Sequence, residues 1–358
     1  MPLVDDDGRL FGVVNLIDAI VLVFVVSAVV AGVFLVVLDG ERTTDPDAPS
    51  HMTVIFEPQL EGLEPEVTPG DRVSIADGPG GMNVTDVFRT PGRNGTVVTV
   101  AKVAIGPGAE APKAGPRHRF ETESYAINGT IRQFSNQSTL RIEQTDVRFS
   151  ATVSESRLDR VQRDGTLRIG TEAVGQVESA SAYPIDNASM YRIGLGVSLP
   201  TVRIDGYPMY GGQPVRPGVQ HPLYLENGTV AGVVDSVGRL EPVGESTPTT
   251  VVVSLEGVSA TRSDALTVGL NESHLGTPAM ITDLSSSPAS TVLTTDSGEF
   301  VTTPHPTQRD ISLVLAVEGR RLGDHLYFHD APLRIGRVVT LDFGHIRVRG
   351  TVVDFDGD

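Results

Sequence analysis

The sequence predicts a mainly β chain in which an N-terminal single transmembrane helix precedes three tandem small β-barrel or β-sandwich units. Three observations predict this. Residues 19 to 38, AIVLVFVVSAVVAGVFLVVL, carry no charge. Beyond them, β-branched runs such as TVIFEPQL, TLRIEQTDVRFSATV and TTVVVSLEGV are punctuated by Gly and Pro about every ten residues, the spacing of short strands and turns. One pattern of glycines, apolar residues and a basic residue is written three times.

Residues 1–18 are expected as a cytoplasmic N-terminus. At about 1.5 Å per residue, a helix over 19–38 crosses about 30 Å of hydrocarbon. The run exceeds the apolar core of a signal peptide and lacks an A-x-A cleavage site, which favours a retained anchor over a cleaved leader or a buried core helix. Asn15 and Asp18 stand where the helix would begin and are expected to cap it, with docking of a cytoplasmic or membrane partner by GRLFG as the alternative. Residues 39–52 are polar, contain two prolines and show no apolar periodicity, as in a stalk linker.

Three β units are expected over 53–134, 138–240 and 248–358. They are marked by APKAGPRHRFETESYAINGTI, QPVRPGVQHPLYLENGTVAG and APLRIGRVVTLDFGHIRVRG, in which a second Gly follows the first by fourteen positions. The pairs are Gly115 and Gly129, Gly218 and Gly232, and Gly336 and Gly350. A basic residue stands two before the first Gly (Lys113, Arg216, Arg334), and an apolar one stands five after it (Phe120, Leu223, Leu341). The second Gly is flanked at alternate positions by Ile127 and Ile131, Val230 and Val234, or Val348 and Val352. That alternation is a strand with one buried face, and a glycine within the face marks a bulge or the close approach of another backbone. Pro217-Gly218 suits a type II turn.

RDGTLRIG (163–170) and SDALTVG (263–269) each read as a turn entering a strand, with TPGDRVSI (68–75) as a weaker counterpart. The third unit carries SSSPASTVLTTDSGEFVTTPHPT (285–307), whose composition predicts a loop. SESRLDRVQ (154–162) has helical spacing.

The formal charge is -17, and Lys102 and Lys113 are the only lysines among 28 basic residues. This balance resembles a haloarchaeal proteome, since molar salt shortens screening to about 3 Å and an acidic surface then costs little self-repulsion. Nucleic acid is excluded as a partner because no clustered Lys and Arg are present to meet phosphates. Cysteine is absent, which excludes disulfides, thiolate metal sites and a Cys nucleophile.

Seven of the eight asparagines lie in N-x-S/T: Asn83, Asn94, Asn128, Asn136, Asn187, Asn227 and Asn271. The eighth, Asn15, precedes the apolar run. Asn-Gly-Thr is also good turn chemistry, which accounts for Asn94, Asn128 and Asn227 but not for the other four. The sequons therefore orient the chain, with its N-terminus inside and an N-glycosylated ectodomain outside.

Catalytic and metal chemistry is sparse. HLYFH (325–329) sets His325 and His329 four apart beside Asp324 and Asp330, but on a strand they stand about 13 Å apart, too far to share an ion. His118 and His221 occupy matching positions that Val339 fills in the third copy, against a repeated ligand role. Asp354, Asp356 and Asp358 imitate half a calcium loop without its distal Glu. There is no G-x-S-x-G elbow, and GPGG (78–81) lacks the Lys of a phosphate loop. Lys113, Arg216 and Arg334 are expected to pair with neighbouring carboxylates, with an acidic glycan or a neighbouring subunit as the alternative. No cofactor or metal is expected, and the sequence sets no oligomeric state.

DDDGRLFGVVNLIDAIVLVFVV (5–26) resembles the opening of domain-of-unknown-function family 4330, an acidic-Gly-Arg-Leu-Phe-Gly-x-x-Asn-x-x-Asp phrase running into a single span. Asp7, Gly8, Arg9, Leu10, Phe11, Gly12, Asn15 and Asp18 occupy that phrase, and farther on the likeness is one of Gly-punctuated β repeats. The resemblance implies a membrane-anchored β protein and no known activity. The expected function is a non-enzymatic cell-surface contact platform or scaffold with an envelope protein or glycan as partner. The alternatives are an adaptor of a membrane transport or secretion complex and an envelope hydrolase.

Overall fold

Beyond residue 50, alternating apolar residues fold the chain into three antiparallel sheets, each curled around its own core. In the computed structural model the described residues are 9–10, 14–15, 50–63, 65–76, 81–106, 111–163, 165–169, 172–185, 189–225, 228–272, 279–294 and 298–356. The expected span at 19–38 lies outside them, as do Asp18, Asn187, Asn227 and Asp358. Among the described residues no helix is long and apolar enough to cross a membrane. Asn15, expected as a helix cap, is a strand residue: β1 (Arg9–Leu10) pairs with β2 (Val14–Asn15), placing Arg9 opposite Asn15.

The first sheet contains β3 (His51–Phe56), β4 (Gln59–Leu60), β5 (Arg72–Ile75), β6 (Met82–Pro91), β7 (Thr96–Ala104), β8 (Arg117–Glu121) and β9 (Ala126–Ser135). Its order is β3-β9-β8-β5-β6-β7, and β7 pairs back onto β3, so the ring closes and removes its edges. Strand β3 starts inside the expected stalk because Met52 and Val54 belong to the core.

The second sheet repeats this ring. It contains β10 (Ile142–Ser154), β11 (Thr166–Ile169), β12 (Glu172–Pro184), β13 (Met190–Ile204), β14 (Tyr207–Tyr210), β15 (Gln213–Pro214), β16 (Gln220–Leu225) and β17 (Gly228–Val237). β10 pairs with both β17 and β13 to close it. The helical spacing near 154 becomes α1 (Glu155–Arg163), which sinks Leu158 and Val161 into the core one turn apart.

The third sheet contains β18 (Glu245–Ser259), β19 (Met280–Thr294), β20 (Phe300–Leu322), β21 (His325–Phe328), β22 (Ala331–Pro332), β23 (Val338–Asp342) and β24 (Arg347–Phe355), with α2 (Ala260–Asp264) between β18 and β19. Among the described residues this ring does not close. SDALTVG, expected to enter a strand, forms a helix end and turns, and one bridge, Asn271 to Met280, marks the missing strand. A side chain takes part of its place: the amide of Asp342 donates to Oε1 of Glu272 at 3.3 Å.

Residues 285–307, expected as a loop, mostly continue β19 and β20 as a two-stranded arm, with Ser290 opposite Pro304 and Leu293 opposite Val301. Its β-branched Thr and Val residues suit a ladder, and a two-stranded arm has free edges on which Pro304 and Pro306 cost no central hydrogen bond. Val292, Leu293, Phe300 and Val301 are exposed near its tip.

The two repeat glycines serve different ends. Gly115, Gly218 and Gly336 have φ of 95°, 83° and 84°, a turn conformation that favours glycine. Their amides donate to the carbonyls of Ile131, Val234 and Val352 at 2.9, 2.8 and 2.8 Å. Gly129, Gly232 and Gly350 need space instead. A Cβ at Gly350 would stand 2.8 Å from the Ser254 carbonyl oxygen, and one at Gly232 would stand 3.1 Å from Leu223 and Phe149. Three residues beyond each, Arg132, Asp235 and Val353 drop out of register as bulges against β3, β10 and β18. Thr85, Glu178 and Thr282 drop out likewise on β6, β12 and β19.

The barrels meet through different chemistry. Between the first and second, Val100, Leu140, Val202, Ile204 and Met209 form an apolar cluster joined by Ile55 and Phe88. The hydroxyl of Tyr224 donates to the Gly92 carbonyl at 2.6 Å and accepts from the Gly95 amide at 2.9 Å. Between the second and third barrels the contact is polar.

Candidate functional site

Tyr191 follows the β12–β13 turn and is fully buried at the seam between the second and third barrels. Its hydroxyl donates to Oδ2 of Asp342 at 2.5 Å. Asp342 ends β23 and Arg347 begins β24 directly opposite it. Arg347 therefore reaches the same oxygen through Nε at 2.9 Å and Nη2 at 2.5 Å, and Nη2 also donates to the Tyr191 hydroxyl. Its Cζ lies 5.0 Å from the Tyr191 ring centroid, within cation–π range. Burial pushes the Asp342 carboxyl up, but hydrogen bonds from Tyr191, Arg347 and the Gly344 amide outweigh it and hold the group below its ordinary value. Burial first, then the Asp342 bond, raises the Tyr191 phenol.

A second cluster comes from the β21–β22 turn. In the second barrel the matching turn is Gly211-Gly212, with φ of 59° and 74°. Here it is His329-Asp330, with φ of 49° and 50°, a left-handed pair that costs about 1–2 kcal/mol per residue without glycine. The side chains offset that cost. His329, its side chain 7% exposed, bonds Oε2 of Glu272 through Nε2 at 2.9 Å and stacks against Tyr183, with ring centroids 4.9 Å apart. Asp330 faces buried Arg148 at 3.9 Å. Arg148 donates to Ser181 Oγ at 3.2 Å and to the Leu240 carbonyl at 3.3 Å, and Gly194 leaves room for its guanidinium. The Tyr183 phenol is pushed up to about 12, chiefly by burial and then by Asp330.

Two clefts open along this seam. One of about 280 Å³ is lined by Arg148, Arg192, Asp235, Arg320, Tyr327 and Asp330 among others. The other, about 180 Å³, is lined by Tyr183, Arg192, His329, Arg337, Thr340 and Arg349 with a rim of Ile185 and Val338. The seam chemistry suits binding and locking: the His–carboxylate pair and the Tyr–Asp–Arg cluster are spent on each other. No group of three or more His, Asp or Glu among the described residues is arranged to hold a metal ion.

The sequence-marked residues fall elsewhere. Asn83, Asn94, Asn136 and Asn271 are exposed, while Asn128 is half-buried and donates to Glu57 at 3.3 Å. His325 is exposed at the start of β21, whereas His329 is half-buried in the turn with its side chain turned inward. His118 hydrogen-bonds the Lys113 carbonyl at 2.9 Å, and His221 is buried beside Phe149 and Tyr210. Lys113, Arg216 and Arg334 are exposed at their turns, and none makes the expected ion pair among the described residues, because each turn directs its side chain to solvent. The seam residues Tyr191, Glu272, Asp342 and Arg347 and the cleft arginines went unmarked. Aligning HLYFHDAPLRIG with YPMYGGQPVRPG, which sets His-Asp against Gly-Gly, is the signal that finds part of the seam.

No curated protein and no solved structure gives a match to the chain. Residues 1–101, which run from the N-terminal phrase through most of β7, match the family model described as domain of unknown function (DUF4330).

Proposed function

We propose that the chain is a non-enzymatic, membrane-anchored cell-surface protein whose barrels form a contact platform or scaffold in the cell envelope. In this reading residues 19–38 hold it in the membrane, its N-terminus is cytoplasmic, and the barrels and their sequons face outward. The observation that carries it is the seam between the second and third barrels. There the titratable side chains best placed for chemistry bond one another across the junction, as Tyr191 does Asp342. The inter-barrel connections are held as well: the Leu140 amide donates to Asp86 at 2.8 Å, and the Leu240 carbonyl accepts from Ser179 at 2.9 Å. Exposed Asn83, Asn94, Asn136 and Asn271 fit a glycan-bearing surface. The arm with exposed Phe300 favours a second reading, an adaptor in a membrane transport or secretion complex, because a projecting apolar tip suits insertion into a partner.

The test combines placement and chemistry. Protease added to intact cells is expected to remove the chain beyond residue 38, and full protection of the C-terminus would contradict the orientation. Purified full chain is expected to leave ester, peptide, phosphoester and glycoside reporters intact. Saturable turnover lost in His329→Gln would replace the platform with the envelope hydrolase.

A further inference from the structure

Alternation along two strands and one turn bring three guanidinium groups into the smaller seam cleft. On β13, Tyr191 and Ile193 point inward, so Arg192 points out. On β24, Val348 and Gly350 are buried, so Arg349 points out. Arg337 follows the turn glycine Gly336, and its Nη1 donates to the carbonyls of Phe328 at 2.8 Å, Ala331 at 2.8 Å and Pro332 at 3.4 Å. All three arginines line the cleft, and no carboxylate among the described residues does. None of the three forms an ion pair among the described residues, although the chain carries 45 acidic residues. Acids close by are already engaged: Glu272 by the cleft residue His329, Asp342 by Arg347, and Asp330, on the other cleft, by Arg148.

Arg337 matters most to the energetics. It is half-buried, burial lowers its pKa, and its Nε and Nη2 have no protein acceptor among the described residues. A partly desolvated charge without a counter-charge is costly, and an anion in the cleft would offset that cost. Guanidinium forks meet carboxylate and sulfate oxygens in paired hydrogen bonds, and three arginines lining one cleft offer more than a single surface arginine can. The volume of about 180 Å³ suits one ring-sized body and not a folded chain segment. Ile185 and Val338, 43% and 45% exposed, add an apolar rim against which a ring's C–H face can lie.

We infer that this cleft binds a compact organic oxyanion, a carboxylate or sulfate group on a body about the size of one sugar ring, held by Arg192, Arg337 and Arg349. Binding here neither requires nor excludes a scaffold role, so the two readings fail separately.

The test is calorimetric titration of the detergent-solubilised full chain at fixed ionic strength with glucuronate, inorganic sulfate and glucose. Glucuronate is expected to bind saturably and more tightly than sulfate, and glucose to give no saturable heat. Arg192→Gln and Arg349→Gln, both at exposed positions, are each expected to weaken glucuronate by about tenfold. Arg216→Gln, on an exposed turn outside the cleft, is expected to leave the affinity unchanged. Unfolding midpoints equal to wild type identify the losses as local. Absence of saturable glucuronate binding, glucose binding as well as glucuronate, sulfate binding as tightly as glucuronate, or full affinity in the Arg192→Gln, Arg349→Gln double variant would each overturn the assignment.

Discussion

The Tyr191 hydroxyl of the second barrel and the Asp342 carboxylate of the third are 2.5 Å apart, joined by a buried hydrogen bond across the seam. Removing the donor leaves a buried acceptor short of one hydrogen bond. Tyr191→Phe is expected to destabilise the chain by about 1–2 kcal/mol in chemical denaturation. A midpoint equal to wild type would show that the bond does not hold the seam. The pH dependence has a definite sign. Because the folded Asp342 pKa lies below the ordinary 3.8, the unfolded chain takes up the proton first, so this stabilisation is complete above 3.8 and is lost as pH falls through the lower folded value.

His221 gives a pH response in a different window. It is buried, its Nδ1 has no hydrogen-bond partner among the described residues, and burial followed by Arg93 lowers its pKa below 6.5 against the opposing effect of the Pro214 and Tyr210 backbone. The unfolded chain therefore binds the proton more readily, and stability falls as pH drops below 6.5. His221→Leu is expected to flatten the unfolding-midpoint profile between about pH 5 and 7. An unchanged slope would show that His221 does not titrate against folding.

Lys102 is buried in the first barrel, where its Nζ donates to Thr53 Oγ1 at 3.0 Å and burial lowers its pKa. It makes no ion pair among the described residues. Lys102→Met keeps the side-chain volume and removes the desolvated charge, so it is expected to stabilise by about 1 kcal/mol or more at neutral pH. It should also abolish the rise in stability as pH climbs toward 10.5. A loss of stability would mean that the ammonium's bond to Thr53 outweighs its desolvation.

Gly350 tests the repeat. A Cβ there meets the Ser254 carbonyl oxygen at 2.8 Å, a backbone atom that cannot rotate away. Gly350→Ala is expected to cost about 2–3 kcal/mol. Arg334→Ala, at an exposed turn position of the same repeat, should cost less than about 0.5 kcal/mol. The reverse order of unfolding midpoints would remove the close-approach account of the second repeat glycine.

Much of the architecture was legible because it is local. Val230, Gly232 and Val234 announce a strand by alternation, and Pro217-Gly218 announces its turn, with no knowledge of what lies across the sheet. The arm at 285–307 was not legible, since Ser, Thr and Pro suit both loops and free ribbon edges, and the pairing that decides between them is set by β20. The seam was hidden for a stronger reason. Tyr191 and Asp342 are 151 residues apart, and each looks ordinary in its own strand. His329 was visible as a histidine, but its partner Glu272 lies 57 positions away, where strand alternation gives no sign of it.

The central claim is that the second and third barrels act as one rigid platform. The chain has no cysteine, so Thr229→Cys on β17 and Glu256→Cys on β18 would carry two spin labels without competing sites. Pulsed electron–electron resonance on the labelled full chain is expected to give one narrow distance distribution, which broadens when Tyr191→Phe and Asp342→Asn are combined. A broad distribution in the otherwise wild-type chain, or one that the paired substitutions leave unchanged, would contradict the claim.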